Sequence, residues 1–342
     1  MEPSYRPGGR VVKVRYYPRM PFRLFGAGRL VGCALSLPAA VAVAQSLPAY
    51  APINPVAASR SGVYFQPYRA PHPGEWSAAI SLDYASAIES NELPSATYLL
   101  DSELPRLRLD LARDLSRSLF VQASVEAGGA YSGFLDGFLD WYHRTLGIRI
   151  PERQRRPRNQ FLYSLGLPDG TTVSRAPSDL FFGDVRLGLG IRPSSVLQSV
   201  VSITFPTSTH QAGFGRGVVS TSLLNTLRLP LHPQLVYEGS LSGGFTPSHG
   251  ELAPFQKRWF AAGSSGLRFR FWGSQSLFAN LLYHSPYYHD TTLPGLDRRE
   301  VVLDFGWILA TGGGREWRIG MTEDLEPGGP AVDLVFRLGV GR

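Results

Sequence analysis

The chain has 342 residues, 34 Lys and Arg against 27 Asp and Glu, a formal net charge of +7 and a single cysteine. One cysteine excludes an intrachain disulfide and any site built from several thiolates. The charge is uneven. Residues 1–44 carry 7 of the basic residues and 1 of the acidic ones, which leaves 27 against 26 in the remainder and removes the electrostatic ground for a nucleic-acid partner.

Residues 1–44 read as a secretory signal. Arg6, Arg10, Lys13, Arg15, Arg19, Arg23 and Arg29 precede the apolar run Leu30 to Ala44, and Ala42-Val-Ala44 before Gln45 offers small residues for cleavage. The run is shorter than the roughly 20 residues a spanning helix needs. The start is either Met1 or Met20. Leu30-Val-Gly-Cys33 has the outline of a lipoprotein box, but Arg29 directly precedes it and most of the apolar run lies beyond it, which favours an ordinary signal peptide. Residues 45–74 are rich in proline (Pro48, Pro52, Pro55, Pro67, Pro71, Pro73). Proline fixes φ and removes a donor, so a regular strand is not expected. The segment reads as a periplasmic leader to the rest of the chain, or as a tail tucked into it.

From Glu75 onward the period is two. Ile80, Leu82 and Tyr84 alternate with Ala79, Ser81 and Asp83; Val185, Leu187, Leu189 and Ile191 alternate with Asp184, Arg186, Gly188 and Gly190. Similar alternation over residues 106–111, 121–126, 201–205, 235–242, 267–271, 301–309, 317–321 and 332–340, with weaker patterns at 218–229 and 277–284, gives about twelve strands of about 9 to 13 residues, a length that crosses a tilted bilayer. Short connections centre on Ser116, Pro193, Pro230, Gly273 and Gly313. Longer ones surround Asn91, residues 129–181, Gly213, His249, Pro294 and Pro327. Apolar faces ending in Trp76, Tyr84, Trp259, Trp307 and Trp317 resemble interfacial girdles. These features predict an all-β fold: a transmembrane antiparallel β-barrel of about twelve strands over residues 75–342, with one long, partly helical external loop at 129–181. A soluble sandwich also alternates, and is the competing reading.

Charged side chains on the polar face must point inward, because a lipid-facing Arg or Lys at the midplane costs roughly 2–4 kcal/mol. The candidate lumen-lining residues are Arg106, Arg108, Asp110, Glu126, Asp184, Arg186, Glu238, Arg268, Arg270, Asp304, Arg318 and Arg337. Mixed signs in a bore of about twelve strands either pair and close it or line a narrow aqueous path.

In the long loop, Phe134, Leu135, Phe138, Leu139 and Tyr142 recur at helical spacing. Asp136, Asp140 and His143 form a loop motif that one helical side can hold, either as a weak metal site or acid–base pair or, the blander alternative, as a polar face. Arg149, Arg153, Arg155, Arg156 and Arg158 suit lipopolysaccharide phosphates or form a solvated basic loop. His284 and Ser285 are the one pair suggesting a lipid-modifying barrel enzyme.

Gly133-Phe-Leu-Asp-Gly-Phe-Leu-Asp-Trp-Tyr-His143, with Gly183-Asp-Val-Arg-Leu187, Phe205-Pro-Thr207, His284-Ser-Pro-Tyr287 and Glu323-Asp-Leu325, resembles an uncharacterised family of bacterial outer-membrane β-barrels known only as a domain of unknown function. The likeness covers roughly residues 60–342. Two features depart from the family: the entry segment is reduced to Phe65-Gln66-Pro67, and Val340-Gly-Arg342 lacks a terminal aromatic. The resemblance implies an outer-membrane location and no particular activity. The expectation is therefore an exported barrel, structural or a narrow channel for small solutes, with a lipid-modifying enzyme as the alternative. Its partners would be outer-membrane lipid, lipopolysaccharide and, during insertion, the barrel-assembly machinery. No cofactor or metal is expected, and the sequence is silent on oligomeric state.

Overall fold

Strong alternation turns into strand wherever one face meets hydrocarbon and the other a polar interior. The computed structural model describes residues 47–61, 65–145, 147, 156–210, 214–326, 329–330 and 332–341. The signal-like leader, with Cys33 and both candidate starts, lies outside them. In chain order the strands are β1 (Trp76–Glu92), β2 (Thr97–Asp114), β3 (Leu119–Ala130), β4 (Leu162–Gly166), β5 (Thr172–Ser174), β6 (Ser178–Phe182), β7 (Val185–Ile191), β8 (Leu197–Phe205), β9 (Ser220–His232), β10 (Leu235–Phe245), β11 (Trp259–Trp272), β12 (Gln275–His284), β13 (Glu300–Thr311), β14 (Arg315–Asp324) and β15 (Leu334–Gly341). Helices are α1 (Pro55–Ala58), α2 (Asp136–Thr145) and α3 (Pro294–Asp297). None of them is long and apolar enough to cross a membrane.

Twelve of the strands close on themselves. β1, β2, β3 and β7 to β15 pair in antiparallel order, and β1 meets β15 from Ala79↔Gly341 to Ser86↔Leu334. Closure satisfies the backbone groups that an open edge would leave in lipid. The outward set includes Leu82, Leu189, Val201, Leu241, Leu267 and Ile319, all exposed. Inward neighbours such as Asp83, Arg106, Arg108, Thr204, Glu238 and Asp304 are buried. One end carries short turns, where Gly273 takes φ +50° between β11 and β12; the other carries the long loops.

Four expectations need correction. β1 and β2 run 17 and 18 residues, so Asn91 lies in a strand and only a tight turn separates them. β9 continues past Pro230 to His232, and the turn falls at Pro233–Gln234. The end of the 129–181 segment is strand rather than loop: β6 pairs with β3 at Ala127↔Phe182 and Gly128↔Phe181 and extends β7 upward. Finally, the proline-rich segment is the tucked tail rather than the leader: residues 47–61 and 65–69 lie within the bore, while Pro71, Pro73 and Gly74 are exposed at the turn end.

The loop end is roofed by a hydrophobic core. Tyr98 and Leu100 of β2, Tyr163 and Leu165 of β4, and Tyr288, Leu293 and Leu296 from the β12–β13 loop pack on Val56 and Ala57 of α1. Burial pushes the Tyr288 phenol above its ordinary range, so it stays a neutral donor, and it reaches the Val56 carbonyl at 3.4 Å.

Candidate functional site

The bore is filled by residues 47–61 and 65–69, ahead of β1. This plug rises from Leu47 to α1 and descends from Phe65 to the start of β1. Its two limbs touch at the Tyr50↔Phe65 bridge. Proline spacing denies the plug a ladder of its own, so its backbone polar groups must find partners on the wall. Arginines supply most of them. Arg106 Nη1 and Nη2 donate to Pro52 O at 2.6 Å and Ala51 O at 2.8 Å. Arg337 Nη2 donates to Ala49 O at 2.5 Å, and Arg192 Nε to Arg69 O at 2.7 Å. At the loop end the direction reverses: Arg60 of the plug donates to Thr246 O, Pro247 O and Lys257 O at 2.6–3.0 Å. Glu238 accepts from the Leu47 N–H at 3.0 Å.

The same wall side chains pair among themselves. Asp83 holds Arg106 at 2.7 Å and Arg337 at 3.1 Å, and Arg337 reaches Asp304 at 2.9 Å. Arg108 meets Asp110 at 2.9 Å. Glu316 joins Arg268 at 2.9 Å and Arg318 at 3.5 Å. Arg228 lies 3.5 Å from Glu238 and Arg216 lies 3.4 Å from Asp184. Asp114 takes Arg192 at 2.7 Å and the plug's Arg69 at 3.1 Å. Arg186 donates to Thr204 at 3.0 Å, and with Glu126 it lines a cavity of about 40 Å³. A second, of about 110 Å³, lies between the plug's Gln66 and Tyr68 and the wall.

Eleven of the twelve predicted lumen residues therefore face the bore. Arg270 does not line it: it is exposed at the turn-end rim, donating to Pro233 O at 3.0 Å. Asp83, Asp114, Arg192, Arg216 and Glu316 were absent from the predicted set, although Asp83 and Arg192 carry the inward phase of their own strands.

The other motifs separate. His284 lies in the wall with its ring over Tyr287, 4.1 Å between centroids, and its Nδ1 sits 2.5 Å from the Ser285 carbonyl. The Ser285 hydroxyl instead accepts from Ala261 N–H at 3.0 Å. No nucleophile–base pair forms between them. The cavity beside His284 and Glu300 measures about 30 Å³, room for a water rather than a lipid.

Asp136, Asp140 and His143 share α2 but not a ligand direction. Asp136 accepts from Asn159 N–H, Asp140 pairs with Arg158 at 2.7 Å, and His143 faces Asp333 at 3.8 Å. Among the described residues no His, Cys, Asp and Glu group is arranged to hold a metal. Of the arginine run, Arg156 pairs with Glu92 at 3.0 Å and Arg158 with Asp140. Arg149, Arg153 and Arg155 lie outside the described residues.

α2 lies against the outside of the wall. Phe134 meets Tyr84 at 5.8 Å, Phe138 meets Phe336 at 6.1 Å, and Tyr142 donates to Glu323 at 3.2 Å. Its buried positions are Leu139 and His143, while Phe134, Phe138 and Trp141 stay exposed. Glu103 anchors it. This buried carboxylate projects on the outward face of β2 and accepts the N–H groups of Phe134, at 2.7 Å, and of Leu135, just ahead of the helix, together with the Tyr84 hydroxyl. Glu103→Ala is expected to leave these donors unmet at a local cost of about 1–3 kcal/mol. Trypsin should then cut faster after Arg144 and Arg158 while the barrel stays folded. Unchanged cleavage would mean that apolar contacts alone hold α2.

A closed antiparallel sheet with an apolar outer belt and a charged, plugged bore defines the class: a transmembrane-type β-barrel. It is similar to an outer membrane channel from Pseudomonas putida F1, with 12% identity over 79% of this chain and 96% of that one and a TM-score of 0.51. More distant likenesses include the NanC porin, with 9% identity over 77% and 98% and a TM-score of 0.43, and the toluene transporter TodX from Pseudomonas putida, with 10% identity over 84% and 91% and a TM-score of 0.38. At such identities the likeness is one of fold. No family model and no curated protein sequence matches the chain.

Proposed function

We infer that the protein is an outer-membrane channel for small solutes whose bore is shut by its own N-terminal segment. Its turn end lies at the periplasm and its loop end outside, as an even strand count and the short-turn, long-loop rhythm require of a barrel inserted from the periplasm. The observation that carries the reading is the contrast between wall and plug. The wall is held by continuous strand pairing on both sides of every barrel strand. The plug is held by separate side-chain bonds from Arg60, Arg106, Arg192 and Arg337, and by apolar contacts of Leu47, Tyr50, Val56, Ala57 and Phe65, with no strand ladder to the wall among the described residues. Water can replace such bonds one at a time, whereas opening the wall breaks a ladder. With the plug withdrawn, the exposed carbonyl-binding arginines leave a polar, cation-lined path.

The test is single-channel conductance in a planar bilayer, comparing the chain from residue 45 with one lacking residues 45–72. The longer chain should be silent or open rarely, and the shorter one should show steady steps. A shortened chain that migrates as a folded barrel and remains silent would overturn the channel reading and leave a structural barrel.

A further inference from the structure

The outer wall is not uniformly convex. Two rows of outward residues, perpendicular to the strands, form a groove of about 960 Å³ across β10 to β15 and β1. One row runs through Phe336, Met321, Phe305 and Ala279; the other through Leu338, Ile319, Trp307 and Leu277. The cause lies on the inner face. Gly306 and Gly320 oppose each other across β13 and β14. A Cβ on Gly306 would fall 2.2 Å from Ile319 O, and one on Gly320 would fall 2.7 Å from Phe305 O and 3.1 Å from the inward Phe278 ring. Gly266 likewise approaches Leu47 of the plug and the Ala279 carbonyl. With no side chain at these positions, β13 and β14 approach each other closely on the inner face and β11 approaches Leu47 of the plug, while the small Ala279 leaves room on the outer face.

We propose that this groove holds an acyl chain of a phospholipid from the turn-side leaflet. The proposal rests on the barrel lying in a bilayer but not on the bore conducting. The lining continues the lipid-facing belt, and its two outward polar side-chain groups are both engaged: the Tyr84 hydroxyl by Glu103 and Tyr131, and the Trp307 indole N–H by Gln275 at 3.1 Å. The site therefore suits hydrocarbon rather than a headgroup. Its span of seven strands is roughly 29 Å at about 4.8 Å per strand, long enough for an extended chain. Phe138 of α2 and Phe134 just ahead of it, seated on Phe336 and Tyr84, close the loop end. The other end, at Leu235 and Phe269, opens near the turns. A chain thus enters from the turn side. A second copy is a poor occupant: a two-fold interface would set concavity against concavity and leave the space empty.

Native mass spectrometry of the detergent-purified barrel tests this after incubation with dipalmitoyl phosphatidylethanolamine and, separately, with rough lipopolysaccharide. The unaltered protein should retain one phospholipid. Ala279→Trp, or Met321→Trp should the first variant not fold, should lower its occupancy at least tenfold. Val201→Trp, the same bulk on the exposed face of β8, should retain it. Absence of phospholipid on the unaltered protein, equal retention by the groove variants, preferential capture of lipopolysaccharide, or a dimer that Ala279→Trp dissociates would each overturn the proposal.

Discussion

Gly306→Val should yield no folded barrel. The Cβ of any residue other than glycine falls 2.2 Å from Ile319 O and 2.5 Å from the Gly320 Cα. Both obstacles are backbone atoms, so no rotamer relieves the clash, and the chain must give up pairing between β13 and β14. Overpacking against mobile side chains costs about 1–3 kcal/mol; here the cost exceeds that range because a closed sheet has no free edge along which to shift. Valine's branching adds to the penalty, but alanine already meets the same atoms. The check is the mobility shift between heated and unheated samples, together with the refolding yield. Gly137→Ala is the contrasting substitution. Nothing lies within 4 Å of its Cβ, and removing a glycine from α2 should favour the helix by up to about 1 kcal/mol. A Gly306→Val protein that folds with an unaltered midpoint would mean that β13 and β14 do not approach so closely there.

The barrel was legible because each of its strands faces two unlike solvents. Val185 to Ile191 and Val201 to Phe205 alternate cleanly in burial, and such a pattern survives in the sequence without knowledge of partners. β12 alternates as cleanly in burial but carries apolar residues on both faces, and its pattern is weaker in the sequence. Legibility failed where a third surface intervened. Asp101 and Glu103 sit in outward phase on β2, yet both are buried: Asp101 pairs in register with Leu162 of β4, and Glu103 lies beneath the segment that leads into α2. Polar residues there broke the alternation, and the strand looked shorter than it is. The helical motif was visible, but the direction of its faces was not. Phe134 and Phe138 repeat at helical spacing because they extend the apolar belt, whereas the buried side of α2 includes a histidine. The plug was hidden for another reason. An inward arginine looks the same in sequence whether its partner is water, a carboxylate or a backbone carbonyl. Nothing in Arg106 or Arg337 announces Ala49, Ala51 and Pro52 as acceptors. The available hint was compositional: a proline-rich stretch bearing Tyr50, Phe65 and Tyr68, too apolar for a solvated linker and too poor in period for a strand. Ser285 and His284 do not meet because adjacent residues of an extended chain point to opposite faces.

Asp83→Ala should loosen the plug through the two arginines that hold it. Asp83 is fully buried and lies between two guanidinium groups, accepting from Arg106 at 2.7 Å and from Arg337 at 3.1 Å. Those two arginines grip the rising limb of the plug through Ala49, Ala51 and Pro52. Without the carboxylate, Arg106 loses its acidic partner at this point and faces a second buried cation. Arg337 keeps Asp304 and swings toward it. Breaking a buried pair by removing one member costs about 3–5 kcal/mol, and part of that cost is relieved if water enters and the limb detaches. The expected result is a lower unfolding midpoint and frequent openings in a planar bilayer. Those openings should favour anions, since uncompensated arginines then face the path. Asp83→Asn keeps the acceptor oxygen and loses only charge, so its effect should be smaller and of the same sign. The decisive comparison is the chain that already lacks residues 45–72. If Asp83 acts through the plug, Asp83→Ala adds no further openings in that background and changes only ion preference. Equal gains in both backgrounds would assign Asp83 to the wall alone.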